Sequence, residues 1–477
     1  MDDRLSALPD DLLLQILMLL PLIQLVQTTV LSRRWSRLWM EAQILHVIDK
    51  EVDGGGDPDR FEGVVDGILS VYASRLGGRA GCNFQISISK EDNIDIDRLN
   101  SWARQAAELF GGNFILSVET VKPADSEEDE SDSDEELENF ELPCFEFAKK
   151  ITLTLSDRLL CLALPTSAGV FASLTHLVLM KLRFADGAGA ALSEIVSSRC
   201  PCLLSLVVQY VQGVTALTLR TASLTHLNLS YVQGLRLLDV VALKLIGMTV
   251  QCCFVDSNGA ELRISAPLLL RVEWADCCPE STQVGPTYHL KTLVVGEIPP
   301  LAWGEGFIAH SNFDMILRHF RRTHVLELHV PIRPELQGHG RLMEYIVHPE
   351  QYTDLDLVVE PSRHMFGMTM FQLLKRCIGI RMLHLKLSKR KGDTACSSSC
   401  IWDNPPGWKN QEIRLNSLHE ILVSDFNDKS HEVDVVSFIL KCAPSLQHVG
   451  IEVGHHVSRL SQDTILQFNK YHPVKFF

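Results

Sequence analysis

The sequence predicts an α/β chain in which a short all-helical segment precedes a long, irregular array of strand-and-helix repeats. Three observations lead there. At 477 residues the chain exceeds the roughly 250–300 residues at which one compact core stops growing. Leucine dominates the apolar residues while aromatics are only 7%, a composition suited to helices and repeats. The segment Ser173-Leu174-Thr175-His176-Leu177-Val178-Leu179 returns almost unchanged as Ser223-Leu224-Thr225-His226-Leu227-Asn228-Leu229, and internal repetition marks a solenoid.

The first 40 residues read as three short helices. Pro9 suits a helix start, Asp10 and Asp11 put negative charge in the first turn, and Leu12, Leu13, Ile16, Leu17 and Leu20 follow on one face. Pro21 ends that helix. A second begins near Leu22 with Ile23, Val26 and Val30 expected inward, and Ser32 is placed to cap a third that carries Trp35, Leu38 and Trp39. Arg33, Arg34 and Arg37 fall on its wet side; without a wider basic field they read as a solvated face. A segment this short seldom stabilises itself alone, so its apolar surface must be covered, either by its own C-terminal domain or by another protein.

Residues 51–60 hold Val52-Asp53-Gly54-Gly55-Gly56-Asp57-Pro58-Asp59, a flexible break, and a linker is expected over 49–62. Strand-like runs Phe84 to Ser89 and Phe114 to Glu119 flank a helical stretch at Leu99 to Leu109. Beyond the near-copies, looser strands run over Leu203 to Val208, Leu268 to Trp274, Leu290 to Val295, Val325 to Val330, Leu355 to Val359, Met382 to Leu387, Leu418 to Val423 and Leu446 to Ile451. The starts Leu290, Leu326, Leu355, Leu383, Leu418 and Leu446 are 36, 29, 28, 35 and 28 apart, so the array is irregular. In each unit a strand sends alternate leucines inward and a helix or loop, such as Gly189 to Ser197 or Phe313 to Phe320, covers the back. A β-sandwich or propeller is the alternative, disfavoured by helical punctuation between most strands.

The net charge of −15 argues against a nucleic-acid surface, which needs clustered Lys and Arg. Ten acids between Asp125 and Glu138 carry most of it. This run reads as a disordered, self-repelling insertion over 123–139. Ser126, Ser131 and Ser133 within it are each followed by acids, a context for acid-directed kinases, and phosphates there would dock on a basic face. Thirteen cysteines, odd in number and without framework spacing, read as free thiols in a reducing compartment. Acid at Asp2 and Asp3 argues against a secretory signal, and no apolar run reaches the roughly 18 residues that would span a bilayer. A soluble protein of the cytoplasm or nucleus is expected, or of both.

No phosphate-binding loop, nucleophile elbow, His-Glu-x-x-His or dinucleotide fingerprint occurs. Cys396 with Cys400, Cys200 with Cys202, and His455-His456 lack metal-ligand spacing. Neither an enzyme nor a cofactor or metal is expected. Asn228-Leu229-Ser230 matches a glycosylation sequon but lies in an expected strand.

Leu8-Pro9-Asp10-Asp11-Leu12-Leu13-Leu14-Gln15-Ile16-Leu17, Leu20-Pro21-Leu22 and Thr28-Thr29-Val30-Leu31-Ser32-Arg33-Arg34-Trp35-Ser36-Arg37-Leu38-Trp39 closely resemble the F-box in its plant form, without a gap from Leu5 to Trp39. Asn100-Ser101-Trp102-Ala103 resembles the first repeat of plant F-box proteins with leucine-rich repeats. Cys400-Ile401-Trp402, Trp408, Leu415-Asn416-Ser417-Leu418-His419-Glu420-Ile421, Val433 to Leu440 and Ala443-Pro444-Ser445-Leu446-Gln447 resemble the FBD domain that closes many of them. Arg414 stands where that family commonly has cysteine. A capping role suits this end of the array.

This resemblance implies a three-helix F-box over 1–48 and an irregular leucine-rich-repeat, ribonuclease-inhibitor-like solenoid over 63–395, closed by FBD-like repeats over 396–477. It implies the non-catalytic substrate-recognition subunit of a ubiquitin ligase. The F-box would bind a Skp-type adaptor, and through it a cullin and RING subunit, with Leu8, Pro9, Leu13, Ile16, Leu17, Leu20, Leu31 and Trp35 shared between adaptor contact and the helical core. An unidentified target protein would lie on the repeats, by strand face or loops, and some plant relatives hold a small hormone beneath it. Neither nucleic acid nor membrane is an expected partner. The competing reading is a non-ligase interaction scaffold.

Overall fold

The computed structural model describes residues 8–38, 44–49, 52, 58–75, 81–89, 95–119, 138–155, 160–165, 169–185, 188–254, 259–295, 316, 319–320, 323–331, 352–360, 365–388, 407–455, 457 and 460–477. The chain is a mixed α/β protein, and its residues group into two units, Met1–Lys244 and Leu245–Phe477.

Unit one opens with helices Asp10–Leu17 and Leu22–Gln27, a 3-10 turn at Thr28–Val30 and a single helical turn at Trp35–Leu38. Pro9, extended at φ −58°, precedes the first helix; it offers its carbonyl to the amides of Leu12 and Leu13 at 3.1 Å, and Pro21 plays the same part for Leu25 at 2.9 Å. The Ser32 hydroxyl accepts from the Trp35 amide at 3.4 Å, as a cap at that position should.

Strands then run parallel and in register from Ile44–Ile48 through Asn83–Ile88, Asn113–Val118, Lys150–Thr154, His176–Phe184 and Ser205–Gln212 to His226–Val232. Register stacks one apolar row across all seven, Leu45, Phe84, Phe114, Ile151, Leu177, Leu206 and Leu227, every member buried. Successive strand side chains alternate faces, so the residues between point outward. The near-copies lie two strands apart, with Ser205 pairing both His176 and His226. Their separation of 50 therefore comprises two steps.

Helices Pro58–Arg75 and Ile96–Leu109 back the first strands. The former starts inside the stretch read as linker, because Phe61, Val65, Ile68, Leu69 and Tyr72 form a buried stripe at helical spacing. Phe61 meets Trp102 edge-on at 6.1 Å, and Phe110 lies between Tyr72 and Phe84 at 5.2 and 4.7 Å. Asp95 caps the second helix by accepting from the amides of Asp97 and Arg98.

One expectation fails over 205–244: no helix covers the back. Ser205 and His226 are register partners 21 positions apart, too few for a strand, two turns and a stable helix. A second parallel pair fits instead, Ala216–Thr221 with Leu237–Ala242. There Arg220 grips Asp239 with two hydrogen bonds of 2.9 and 2.5 Å. Where spacing is wider, as over 176–205, helix Ala188–Glu194 and a wider turn at Ile195–Arg199 return.

At one rung three adjacent strands of unit one share a kink. Lys181, Tyr210 and Tyr231 all hold positive φ, 49°, 54° and 57°, and register resumes beyond them at Leu182, Val211 and Val232. The rings of Tyr210 and Tyr231 stack at 4.5 Å and 7°.

Unit two repeats the scheme: Gly247–Gln251, Arg271–Ala275, Thr292–Val295, Val325–Pro331, Asp354–Glu360, Met382–Leu387, Glu420–Phe426, His448–Val453 and Lys475–Phe476 are parallel. Its spine is Met248, Val272, Leu293, Leu326, Leu355, Leu383, Ile421 and Val449, all buried. Close spacing at its start again brings a second strand pair, Glu261–Ser265 with Ser281–Val284. Wider spacing later admits helices Gly367–Arg376, Ser430–Cys442 and Gln462–Asn469. Most of Phe313 to Phe320 lies outside the described residues.

Candidate functional site

Helix Asp10–Leu17 and the turn that follows it carry apolar residues on two stripes. Leu13 and Leu17 point inward, where Leu22, Leu25, Trp35 and Leu38 also bury their side chains. Leu12, Ile16 and Leu19, spaced i, i+4, i+7, form the second stripe and remain 44%, 36% and 83% exposed. Val30, expected inward, is 85% exposed, and its neighbour Leu31 is 63% exposed. The 3-10 turn causes the difference: it breaks the 3.6-residue period on which Val30 would have shared the face of half-buried Val26.

The eight residues singled out in this segment thus divide. Leu13, Leu17 and Trp35 are core; Pro9, Ile16 and Leu31 face solvent; Leu8 and Leu20 are half-buried. Leu12, Leu19 and Val30 join the exposed group although sequence reasoning did not select Leu19 or an outward Val30. For Leu12 and Leu19 the signal was the second i, i+4, i+7 stripe.

Arg34 locks the segment's ends together and is half-buried, where a wet surface was expected. Its guanidinium donates to Asp10 Oδ1 from Nε at 2.7 Å and to the Leu8 carbonyl from a terminal nitrogen at 2.6 Å. The Thr28 hydroxyl donates to the Leu25 carbonyl at 2.6 Å, closing the second helix.

In the strand array, Asn100 donates to the Asn139 carbonyl at 3.2 Å and accepts from the Glu141 amide at 2.8 Å. The indole of Trp102 donates to Asp66 at 2.6 Å. Both residues of that segment are thus fasteners between helix and neighbouring elements. Near the C-terminus, Trp408 packs against Phe438 at 5.2 Å and over Gly367. Leu415, Leu418 and Ile421 are buried while Arg414 is exposed, so the departure from the FBD pattern falls on solvent.

Ser126, Ser131 and Ser133, Cys396 and Cys400, and His456 lie outside the described residues. Among the described residues no group of three or more His, Cys, Asp or Glu is arranged to hold a metal ion, and no helix is long and apolar enough to cross a membrane. The described cysteines are unbridged. Burial pushes the Cys82 thiol up to about 11 and those of Cys200 and Cys377 up to about 12, which suits packing more than nucleophilic chemistry.

The helical segment with its uncovered stripe coincides with a known domain. Residues 5–46 match the F-box domain family. The chain is also similar to F-box/FBD/LRR-repeat proteins of Arabidopsis thaliana. One, At5g22660, is 28% identical over 280 residues, covering 58% of this chain and 52% of the relative. Another, At2g26030, is 51% identical over 101 residues, 21% of each chain. The MEIOTIC F-BOX protein MOF of Oryza sativa subsp. japonica is 48% identical over 77 residues, 14% of this chain and 16% of that one. The chain spans about half, or less, of the length of the curated relatives it matches. Similarity to plant proteins carrying F-box, FBD and leucine-rich-repeat elements agrees with the resemblance read from residues 8–39 and 400–447.

Proposed function

We propose that this chain is the substrate-recognition subunit of a Skp/cullin/F-box ubiquitin ligase, acting in the cytoplasm or nucleus without catalytic chemistry of its own. One observation carries the reading: the F-box has a second apolar stripe, Leu12, Ile16 and Leu19, with Val30 and Leu31 beside its helices, that the described chain leaves uncovered. A helix apolar on more than one side stays stable in water only when something packs on it. A Skp-type adaptor is the occupant an F-box implies, with Pro9, Ile16 and Leu31 reaching it and Leu13, Leu17 and Trp35 holding the stripe in place.

In this reading the N-terminal helices are a three-helix F-box over 1–48, and the parallel strands are an irregular leucine-rich-repeat solenoid over 63–395, with FBD-like repeats over 396–477. The strand face presents a target protein, and the adaptor, cullin and RING subunit bring the ubiquitin-charged enzyme. The chain works by position: it raises the effective concentration of target lysines beside that enzyme. Phosphorylation of Ser126, Ser131 or Ser133 would add charge that regulates docking.

Co-purification with a Skp-type adaptor tests the proposal. Wild type binds; Ile16→Asp combined with Leu31→Asp does not, while thermal unfolding of the chain stays put. A folded wild-type chain that ignores the adaptor leaves a non-ligase interaction scaffold as the reading.

A further inference from the structure

The outward face of unit two differs in chemistry from its leucine spine. Register sets Glu327, Asp356, His384, Leu422 and Gly450 in one row across five strands, and Asp354, Met382 and Glu420 in the next. Adjacent strands lie about 4.8 Å apart, so Glu327 and Asp356 are like charges directly opposite, an arrangement that costs stability. Arg271 reaches Glu327 at 3.1 Å, His329 reaches its other oxygen at 3.1 Å, and His384 stands 4.0 Å from Asp356. Asp354, Glu360 and Glu420 have no ion-pair partner among the described residues. Burial pushes the Asp356 carboxyl above its ordinary range against the opposing pull of His384 and Arg271, with the charges of Glu327 and Asp354 adding to the rise. Against Glu327, Asp354, Asp356, Glu360 and Glu420 the described face sets two permanent cations, Arg271 and Lys386.

An independent feature adjoins that deficit. Met382 and Leu422, diagonal neighbours on their strands, are 38% and 36% exposed. Gly450 continues the Leu422 row, and the ring of Phe477, 73% exposed, lies beside it. Two apolar side chains and an aromatic ring thus stand uncovered at the edge of a carboxylate stripe. Nucleic acid is repelled by such a face, and no group of three metal ligands exists among the described residues.

We propose that this face binds an extended protein segment whose face-directed side chains, every second residue, run from Lys or Arg over Glu327, Asp356 and Asp354 to an apolar residue over Met382 and Leu422. Four strand spacings from Glu327 to Gly450 correspond to about 19 Å, so about six extended residues fill the row. The inference rests on the proposed function only in taking that segment to belong to the ligase target.

The test uses the full chain and two fluorescent twelve-residue peptides, one with Arg or Lys at every second position of its first half and Leu or Val at every second position of its second half, the other with Glu in place of each cation. The basic peptide should bind, weakening on the order of tenfold from low to physiological salt, and the acidic one should not. Glu327→Gln with Asp356→Asn should weaken the basic peptide about tenfold, with a modest loss of thermal stability because Glu327 also gives up its pairs with Arg271 and His329. Leu422→Ser should weaken binding without changing its salt dependence. Equal binding of both peptides, or unchanged affinity in the charge-neutralised chain, overturns the proposal. Adaptor co-purification of the same variants separates the two readings: loss of adaptor binding by wild type with peptide binding intact removes the ligase assignment alone.

Discussion

Arg34 and Asp10 are joined across 24 residues by a 2.7 Å hydrogen bond, and the same guanidinium holds the Leu8 carbonyl at 2.6 Å. The third helical turn of the F-box thereby fixes where the first helix begins. An exposed ion pair alone contributes at most about 1 kcal/mol, but this one also satisfies a carbonyl that precedes the helix. Arg34→Ala should weaken adaptor binding several-fold with a small loss of thermal stability. Arg34→Lys should restore only part, because an ammonium cannot serve both acceptors in the geometry of the fork. Titration calorimetry with the adaptor reads both.

Leu13 and Leu31 should separate folding from docking. Leu13 is fully buried and Leu31 is exposed. Leu13→Ala should destabilise the F-box by about 2–5 kcal/mol, as large-to-small core changes do. Leu31→Ala should leave circular dichroism and unfolding temperature unchanged and lower adaptor affinity. An equal stability loss in both would show that Leu31 is covered within the chain.

Gly367 leaves room for Trp408, whose ring occupies the space a Cβ would need. Gly367→Ala should therefore displace the indole and destabilise unit two by about 1–3 kcal/mol, the usual cost of overpacking. Limited proteolysis should show earlier cleavage of unit two than in wild type. A Trp408→Phe, Gly367→Ala double variant should recover part of the loss.

Asp276 accepts hydrogen bonds from the amides of Cys253, Phe254 and Cys277. Burial outweighs those donors and pushes its carboxyl up to about 7. The folded chain holds this proton more tightly than the unfolded chain, so the site's contribution is complete below about 4 and is lost as pH rises to about 7. Chemical denaturation at pH 4.5, 6 and 7.5 should show that loss. Asp276→Asn should be less stable throughout, with the slope between those pH values reduced.

Much of the strand ladder was legible because alternate leucines report one buried face. Met382–Leu387 falls on the expected residues, and the helix at 99–109 gains only a capped first turn. The second strand pairs over 216–242 and 261–284 escaped notice for a physical reason. Ala216-Leu217-Thr218-Leu219 has the same alternation as a strand of the main ladder, and only the short spacing from 205 to 226 distinguishes the two. Within the F-box, apolar identity was readable and its direction was not. Leu13 and Leu12 are the same residue type in adjacent positions, yet one is core and the other surface. Periodicity names two stripes on such a helix; packing against Trp35 and Leu38 chooses between them. The rows across unit two were invisible because register between distant segments, such as Glu327 with Asp356, leaves no trace in spacing.

The shared kink at Lys181, Tyr210 and Tyr231 has a genetic consequence. Each left-handed backbone costs on the order of 1 kcal/mol, and the stacked tyrosine rings return some of it. The three residues act as a crease that must be inherited together. Deleting any one would set the residues beyond it, Leu182, Val211 or Val232, one position out of register with the neighbouring strand, so tolerated length changes here should arrive in threes or not at all.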